Sequence, residues 1–155
     1  MILPDKINGT EMIKDKNTPL GALIHFYKAF NQQDLLQMEY NWLTTEAASM
    51  SNPLGDIKRG WLEIRPVYEK IFNHQGRVYV EYYDVTIHQS NDMFCAVGRE
   101  RGYFQLAEEK IILAIRTSRI YRYTKKGWRQ LHHHGSIEQP TLLNHYQNRI
   151  LGKKI

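Results

Sequence analysis

Three consecutive histidines, His132, His133 and His134, are the residues of this chain whose type and spacing most directly suggest chemistry. Imidazole titrates near neutral pH, so a histidine can act as a general acid or base, and its ring nitrogens are common metal ligands. The run lies inside a longer stretch, Trp128–Ile137, that has the composition of a β-strand. The faces of that strand therefore decide which histidines can act together.

Side chains at positions i and i+2 of a strand lie on the same face. Strict alternation predicts that His132 and His134 share a face and that His133 points to the opposite one. The face that carries two histidines is predicted to consist of alternate residues: Trp128, Gln130, His132, His134 and Ser136. The three imidazoles are thus not expected to converge on one point.

Two histidines on one strand face would need a third ligand from elsewhere to hold a metal ion. The sequence has no further cluster of His, Cys or carboxylate residues with zinc-ligand spacing, so we predict neither a metal nor a cofactor. It also lacks a Ser–His–Asp elbow, a glycine-rich phosphate loop and a Cys-x-x-Cys motif. Two interpretations of the histidines stay open: half-buried strand residues bonded to their neighbours, or groups that contact a ligand.

A second residue that could do chemistry is Arg119, in the predicted strand Ile111–Tyr123. Alternation places it beside Thr117 and Tyr121 on a face that is otherwise apolar or aromatic. An arginine in that position is either a surface residue whose stem lies along apolar groups or an anion-binding group inside a cavity.

The elements that must position these residues are helices in the first half of the chain and strands in the second. Helices are predicted after the Thr18–Pro19 cap, after Asp34 and over residues 60–72, with one more after Pro140. Four long strands are predicted over residues 77–89, 93–104, 111–123 and 128–137. This order indicates an α+β fold with helices on one face of an antiparallel sheet, which the strand glycines Gly98 and Gly102 bend strongly.

Composition narrows the class of protein. The chain has 155 residues, a formal net charge of +5 and one cysteine, Cys95, which excludes an internal disulfide. We expect one soluble, cytoplasmic domain, because the sequence shows neither a leader peptide nor an apolar run long enough for a membrane span. The basic residues are scattered, which does not favour nucleic acid as a partner.

Three segments together resemble the SnoaL-like branch of the nuclear transport factor 2-like superfamily: LIHFYKAFNQQDLLQM, NWLTTEAASMSNPLGDIKRGWLEIRPVYEKIF and RTSRIYRYTKKGWRQLHHHGSIEQP. The last also resembles the association domain of calcium/calmodulin-dependent protein kinase, which has the same W-x-x-x-H-x-H-x-S frame. The resemblance covers residues 19–140. It leaves residues 1–18 as an N-terminal arm and residues 141–155 as a C-terminal helical extension.

This resemblance implies a cone: a strongly bent antiparallel sheet wrapped around the N-terminal helices, with a pocket at its open end and a homodimer formed through the convex face. Arg119 matches the pocket arginine that engages small carboxylates in the association domain. Gly135 stands in place of a second pocket arginine, and Trp42 matches the tryptophan that borders the pocket in SnoaL-like proteins. Members include isomerases, cyclases, dehydratases, hydrolases and non-catalytic modules, so fold alone does not give function.

The resemblance and the residue pattern together predict a protein that binds a small anionic or aromatic molecule in the cone. Arg119 would supply charge, and Tyr27, Trp42 and Tyr121 would form apolar walls. Polar groups of the ligand would be oriented by Gln130, His132 and His134. If a reaction takes place, His134 or His132 would be the general base of an isomerisation or dehydration. The alternative function is a non-catalytic oligomerisation module.

Overall fold

The computed structural model describes residues 2–72 and 75–152. Within these ranges helices precede four long strands and a final helix, as the sequence predicts, and three short strands are added in the first half of the chain. In chain order the elements are β1 (Lys6–Ile7), α1 (Pro19–Asn31), α2 (Leu35–Asn41), β2 (Ser49–Ser51), β3 (Lys58–Arg59), α3 (Trp61–Phe72), β4 (Arg77–Gln89), β5 (Met93–Leu106), β6 (Glu109–Thr124), β7 (Gly127–Ile137) and α4 (Pro140–Leu151).

The strands form one curled sheet in the order β1-β4-β5-β6-β7-β2-β3. Neighbouring strands are antiparallel except β2 and β7, which run parallel. The helices α1 and α3 pack on one face of this sheet. The α+β class and the cone-shaped sheet around the N-terminal helices are therefore confirmed.

The helix that fills the cone begins where the sequence predicts. The Oγ1 of Thr18 accepts a hydrogen bond from the backbone N–H of Gly21 at 3.0 Å, and Pro19 occupies the first helical position. Leu23, Phe26 and Tyr27 are buried on the inner side of α1. This apolar face fixes the helix in the concave side of the sheet.

The sheet bends where β4 and β5 come unusually close. A Cβ atom on Gly102 would stand 1.9 Å from the carbonyl oxygen of Tyr79, so only glycine fits this position. Further along β4, the pairing slips between Tyr83 and Thr86, and Asp84 has a positive φ of 54°. The two irregularities curve the strands around α1.

A third irregularity, in β7, changes the faces of the histidines. Tyr121 lies opposite Gln130, but the next residue back in β6, Ile120, lies opposite His132. Leu131 has no opposite residue and forms a β-bulge. From this point the alternation of β7 is reversed relative to its first half.

The reversed alternation places His133 directly opposite Arg119, so the two side chains lie on the same, concave face as Gln130. His132 and His134 lie opposite Ile120 and Ser118 on the convex face. The expectation that His132 and His134 share a face with Gln130 is therefore wrong. One inserted residue shifts every later side chain to the other face.

The two ends of the chain add elements at the rims of the sheet. In the N-terminal arm, β1 pairs with β4. At the other end, α4 packs against α3 and β7 and buries Tyr146 and Ile150. No helix in residues 2–72 and 75–152 is long and apolar enough to cross a membrane.

Candidate functional site

The centre of the cone is occupied by Arg119, whose side chain is 2% exposed. Its Nη1 donates to Oε1 of Gln130 at 2.8 Å, and its Nη2 donates to Oε1 of Glu100 at 2.8 Å. Its Nε donates to the hydroxyl oxygen of Tyr27 at 3.2 Å. The guanidinium carbon also lies 3.6 Å from the centre of the Phe26 ring. Of the two placements that the sequence left open for this arginine, the surface and the interior, the structure shows the interior.

Glu100 completes the cluster and was not singled out by sequence reasoning. Its Oε1 accepts a hydrogen bond from the hydroxyl of Tyr27 at 2.6 Å in addition to the one from Arg119. The signal was present in β5, where the residues at alternate positions around it are small or apolar: Phe94, Ala96, Gly98, Gly102 and Phe104. A carboxylate on such a face requires a buried cationic partner.

The surroundings hold these groups in defined protonation states. Burial by itself would lower the pKa of Arg119, but the nearby Tyr27 and Glu100 raise it above its usual range. Burial raises the pKa of Tyr27 well above its ordinary value. At neutral pH Arg119 is therefore charged, and Tyr27 keeps the proton that it donates to Glu100.

His133 stands beside this cluster as a neutral imidazole. Burial, followed by the charge of Arg119, lowers the pKa of His133 well below its ordinary value. Its Nδ1 is buried and makes no hydrogen bond within residues 2–72 and 75–152, although the backbone of Ser118 lies near the ring and raises its pKa against these two effects. Nε2 of Gln130 and Oγ1 of Thr117 are likewise buried without a hydrogen bond in the described part of the chain. These unpaired atoms distinguish the site from a fully satisfied structural network.

A cavity of about 40 Å³ adjoins the cluster and is lined in part by Glu100, Arg119 and His133. This volume corresponds to about one water molecule. Pro53 and Leu54 of the β2–β3 loop and Tyr146 of α4 also line the cavity, and we refer to these three residues as its cover. The cover is fastened by a hydrogen bond of 2.7 Å from Nε2 of Gln147 to the backbone oxygen of Pro53.

Of the residues that the sequence assigns to the pocket, Arg119 lines the cone cavity, whereas Tyr27, Trp42, Tyr121 and Gln130 are buried but are not among its lining residues. Tyr27 and Gln130 each form a hydrogen bond with Arg119. Tyr121 is fully buried, and its hydroxyl donates to Oδ1 of Asn41 at 2.9 Å. Trp42 is buried one layer behind the cavity, where its Nε1 donates to the hydroxyl of Tyr68 at 3.1 Å.

His132 and His134 lie outside this cluster. The Nδ1 of His132 is 2.6 Å from Oγ of Ser49. Burial and the neighbouring His134 lower the pKa of His132. His134 is exposed and lines a shallow surface depression with Asp84 and Arg116. Neither contacts Arg119 through a hydrogen bond.

Gly135, on the concave face, explains how His133 is accommodated. A Cβ atom at Gly135 would stand 3.2 Å from Nε2 of His133 and 3.3 Å from Cδ of Pro53. An arginine side chain at this position would have to displace the imidazole. In the described part of the chain, no group of three or more His, Cys, Asp or Glu residues is arranged to hold a metal ion.

Comparisons with known proteins agree with this architecture. The family model of the SnoaL-like domain matches residues 21–140. A comparison with curated proteins gives no significant match. The match ends where α4 begins, so the helix that covers the cavity lies outside the family domain.

Solved structures with the same fold include proteins of several kinds. A candidate calcium/calmodulin-dependent protein kinase type II association domain from Thiobacillus denitrificans is 25% identical, with a TM-score of 0.68 over 79% of this chain and 96% of that one. A candidate dehydratase of the nuclear transport factor 2-like family from Streptomyces avermitilis is 21% identical (TM-score 0.66, 76% and 91% covered). A ketosteroid isomerase-like protein from Erwinia carotovora is 19% identical (TM-score 0.64, 77% and 92% covered).

Proposed function

The chain belongs to the SnoaL-like domain family, and on that premise we propose that it binds a small carbonyl compound in the cone and transfers a proton on it. The observation that carries the proposal is the pair of unpartnered buried atoms, Nδ1 of His133 and Nε2 of Gln130, beside the charged Arg119. A buried polar atom without a partner costs roughly 1–3 kcal/mol. His133 lines the cone cavity but Gln130 does not, so a ligand must enlarge the cavity to bond to both atoms and recover that free energy.

The charge of the cluster favours a neutral ligand over an anion. Arg119 and Glu100 already form an ion pair, and His133 is neutral, so the cluster carries no net charge. All three nitrogens of the Arg119 guanidinium already donate to protein oxygens. A carboxylate ligand would have to compete with Glu100 in a buried site, whereas a carbonyl oxygen needs only the free N–H of Gln130.

The roles in the reaction follow from these contacts. His133 takes the proton from the carbon next to the carbonyl; the electron pair of that C–H bond forms a C=C bond, and the π pair of the carbonyl moves onto its oxygen. The amide of Gln130, backed by Arg119, stabilises the negative charge on this oxygen. His133 then returns the proton to another carbon in an isomerisation, or to a leaving hydroxyl in a dehydration.

Binding requires the cover of the cavity to move. A pocket for a substrate-sized molecule is typically about 300–1,000 Å³, far more than the 40 Å³ of the closed cavity. The cover consists of Tyr146 of α4 and of Pro53 and Leu54 of the β2–β3 loop. The loop is joined to α4 by one described hydrogen bond, from Gln147 to Pro53. Displacing α4 would open the cone, and it would also break the contacts of His145 and Arg149 with Glu109 of β6.

The test is exchange of carbon-bound protons of small ketones in D2O, followed by proton NMR, because it detects proton transfer without knowledge of the product. Wild type and His132→Asn should exchange, whereas His133→Asn should lose roughly 10²-fold or more in rate. His132 is the matched control, since it neighbours His133 but lies on the convex face. Exchange no faster than in buffer, or equal rates in wild type and His133→Asn, would refute the proposal.

The second candidate function is an assembly module, which the similarity to the candidate kinase association domain supports. Subunits would associate through the convex face that carries His134 and the exposed Val97. Mass measurement in solution separates the two functions. A closed ring of many subunits favours assembly, and a homodimer favours the ligand-binding function.

A further inference from the structure

A second cavity, of about 590 Å³, lies on the other side of α1 from the cone. Phe26 and Phe30 of α1 line the cone, whereas Ile24 and Lys28 of the same helix line this outer cavity. Its remaining walls are the N-terminal arm, the end of α2 and the β6–β7 turn. Its volume falls within the range of small-molecule sites.

The N-terminal arm is fixed in place as one wall of this cavity. Gly9 has a φ of +94°, and a Cβ atom there would stand 2.3 Å from the Cα of Lys28. Only glycine allows the arm to approach α1 this closely. The carboxylate of Glu11 accepts hydrogen bonds from the backbone N–H groups of Asn8 and Gly9, at 2.7 and 2.9 Å, which closes the turn.

The walls are strongly basic. The charged residues that line the cavity are one acid, Glu11, and five bases: Lys16, Lys28, Lys125, Lys126 and Arg129. The whole chain has a net charge of +5, so the residues that line this cavity supply most of the excess of positive over negative charge. His25, which also lines it, is hydrogen-bonded to Gln37 and Asn41. The concentration of charge indicates an anionic ligand.

Arg129 is the anchor of this basic wall. It is 9% exposed, its Nη1 donates to the backbone oxygen of Trp128 at 2.8 Å, and its guanidinium lies 4.2 Å from the ring centre of Tyr40. Its Nη2 is buried and has no hydrogen-bond partner in the described part of the chain. None of the described salt bridges involves Arg129. A buried guanidinium with an unpaired N–H and no counter-ion is a preformed place for an anion.

We propose that this outer cavity binds a small phosphorylated molecule of about mononucleotide size. The phosphate would lie at Arg129, whose unpaired Nη2 would donate to a phosphate oxygen. The exposed Lys125 and Lys126 of the β6–β7 turn would add electrostatic attraction. The rings of Tyr40, Tyr123 and Trp128 line the same cavity and offer surfaces for a flat organic group.

Calorimetric titration with adenosine 5′-monophosphate and with inorganic pyrophosphate, at ~150 mM salt, tests the proposal. Arg129→Gln should weaken binding about tenfold or more, and Lys125→Ala/Lys126→Ala should weaken it several-fold. The matched control is Lys70→Ala/Arg77→Ala, which removes two exposed charges outside the cavity and should leave affinity unchanged. Circular dichroism verifies that each variant folds.

The possible results of these titrations lead to different conclusions about the outer cavity. Absence of binding by both probes, or equal affinity in wild type and the double lysine variant, would overturn the site even if Arg129→Gln failed to fold. Retention of a single-stranded oligonucleotide with steep salt dependence, without adenosine monophosphate binding, would overturn the small-molecule assignment in favour of nucleic acid. His133→Asn should bind adenosine monophosphate like wild type, so the result is independent of the activity proposed for the cone.

Discussion

The guanidinium of Arg119 and the carboxylate of Glu100 form an ion pair of 2.8 Å in the centre of the cone, with 2% and 7% of the two side chains exposed. Neither charge reaches solvent, so each depends on the other for compensation. The hydroxyl of Tyr27 bonds to both partners and locks their relative orientation. The pair therefore governs both the stability of the cone and the charge that a ligand meets there.

Arg119→Met should lower the free energy of unfolding by about 3–5 kcal/mol, because it leaves the carboxylate of Glu100 buried and unpaired. The double variant Arg119→Met/Glu100→Leu should be clearly more stable than the sum of the single changes predicts. Urea denaturation measures both values. Arg101→Met is the matched control, because Arg101 also forms an ion pair, with Glu81 at 2.6 Å, but its side chain is 53% exposed. Removing this exposed pair should lower the free energy of unfolding by about 1 kcal/mol or less. Equal losses for the two arginines would contradict the argument.

His133 should make stability fall on acidification. In the unfolded chain imidazole binds a proton below pH ~6.5, whereas burial and Arg119 lower the pKa of His133 well below that value in the folded state. Between the two pKa values the unfolded state binds more protons, so stability is lost as pH falls, by up to about 1.4 kcal/mol per pH unit. Denaturation midpoints from pH 8 to about 5 should show a slope that His133→Asn reduces. His132→Asn changes a less buried histidine and should reduce the slope less. An unchanged slope in His133→Asn would show that the imidazole of His133 is not held neutral in the folded state.

Tyr146 should act as the cover of the cone. Tyr146→Ala removes a ring that is 5% exposed and should cost about 3–5 kcal/mol of stability while enlarging the cavity. A small ketone should then associate faster with the variant than with wild type in stopped-flow measurements. Tyr146→Phe keeps the ring and should match wild type in association rate. If Tyr146→Ala binds no faster, the ligand enters by another route.

Gly135 should be required for the position of His133. Gly135→Ala places a methyl group 3.2 Å from Nε2 of His133 and 3.3 Å from Cδ of Pro53, and we expect a loss of roughly 1–3 kcal/mol in stability. Ser136→Ala, one residue along on the convex face, should have little effect on the thermal midpoint. If Gly135→Ala leaves the thermal midpoint unchanged, the β2–β3 loop moves away from the added methyl group without cost.

The sequence by itself determined the elements and the class of fold, because these depend on local signals. Thr18 and Asp34 cap helices, and the apolar pattern changes from helical spacing over residues 60–72 to alternation over residues 77–89. The assignment of Tyr27, Arg119 and Gln130 to the same cone also came from local alternation and from resemblance to the family. Each of these predictions needed only neighbours in the chain or the periodicity of one element.

Tertiary structure decided which histidine faces Arg119. The bulge at Leu131 arises from how β7 pairs with β6, and nothing in the residues of β7 alone marks its position. A single unpaired residue exchanges the two faces of a strand, so His133, rather than its two neighbours, lies on the concave face. The burial of Glu100, the closing of the cone by Tyr146 and the basic cavity around Arg129 likewise join residues that are far apart in sequence. Such contacts are fixed by packing across the fold, which a linear pattern of residue types does not contain.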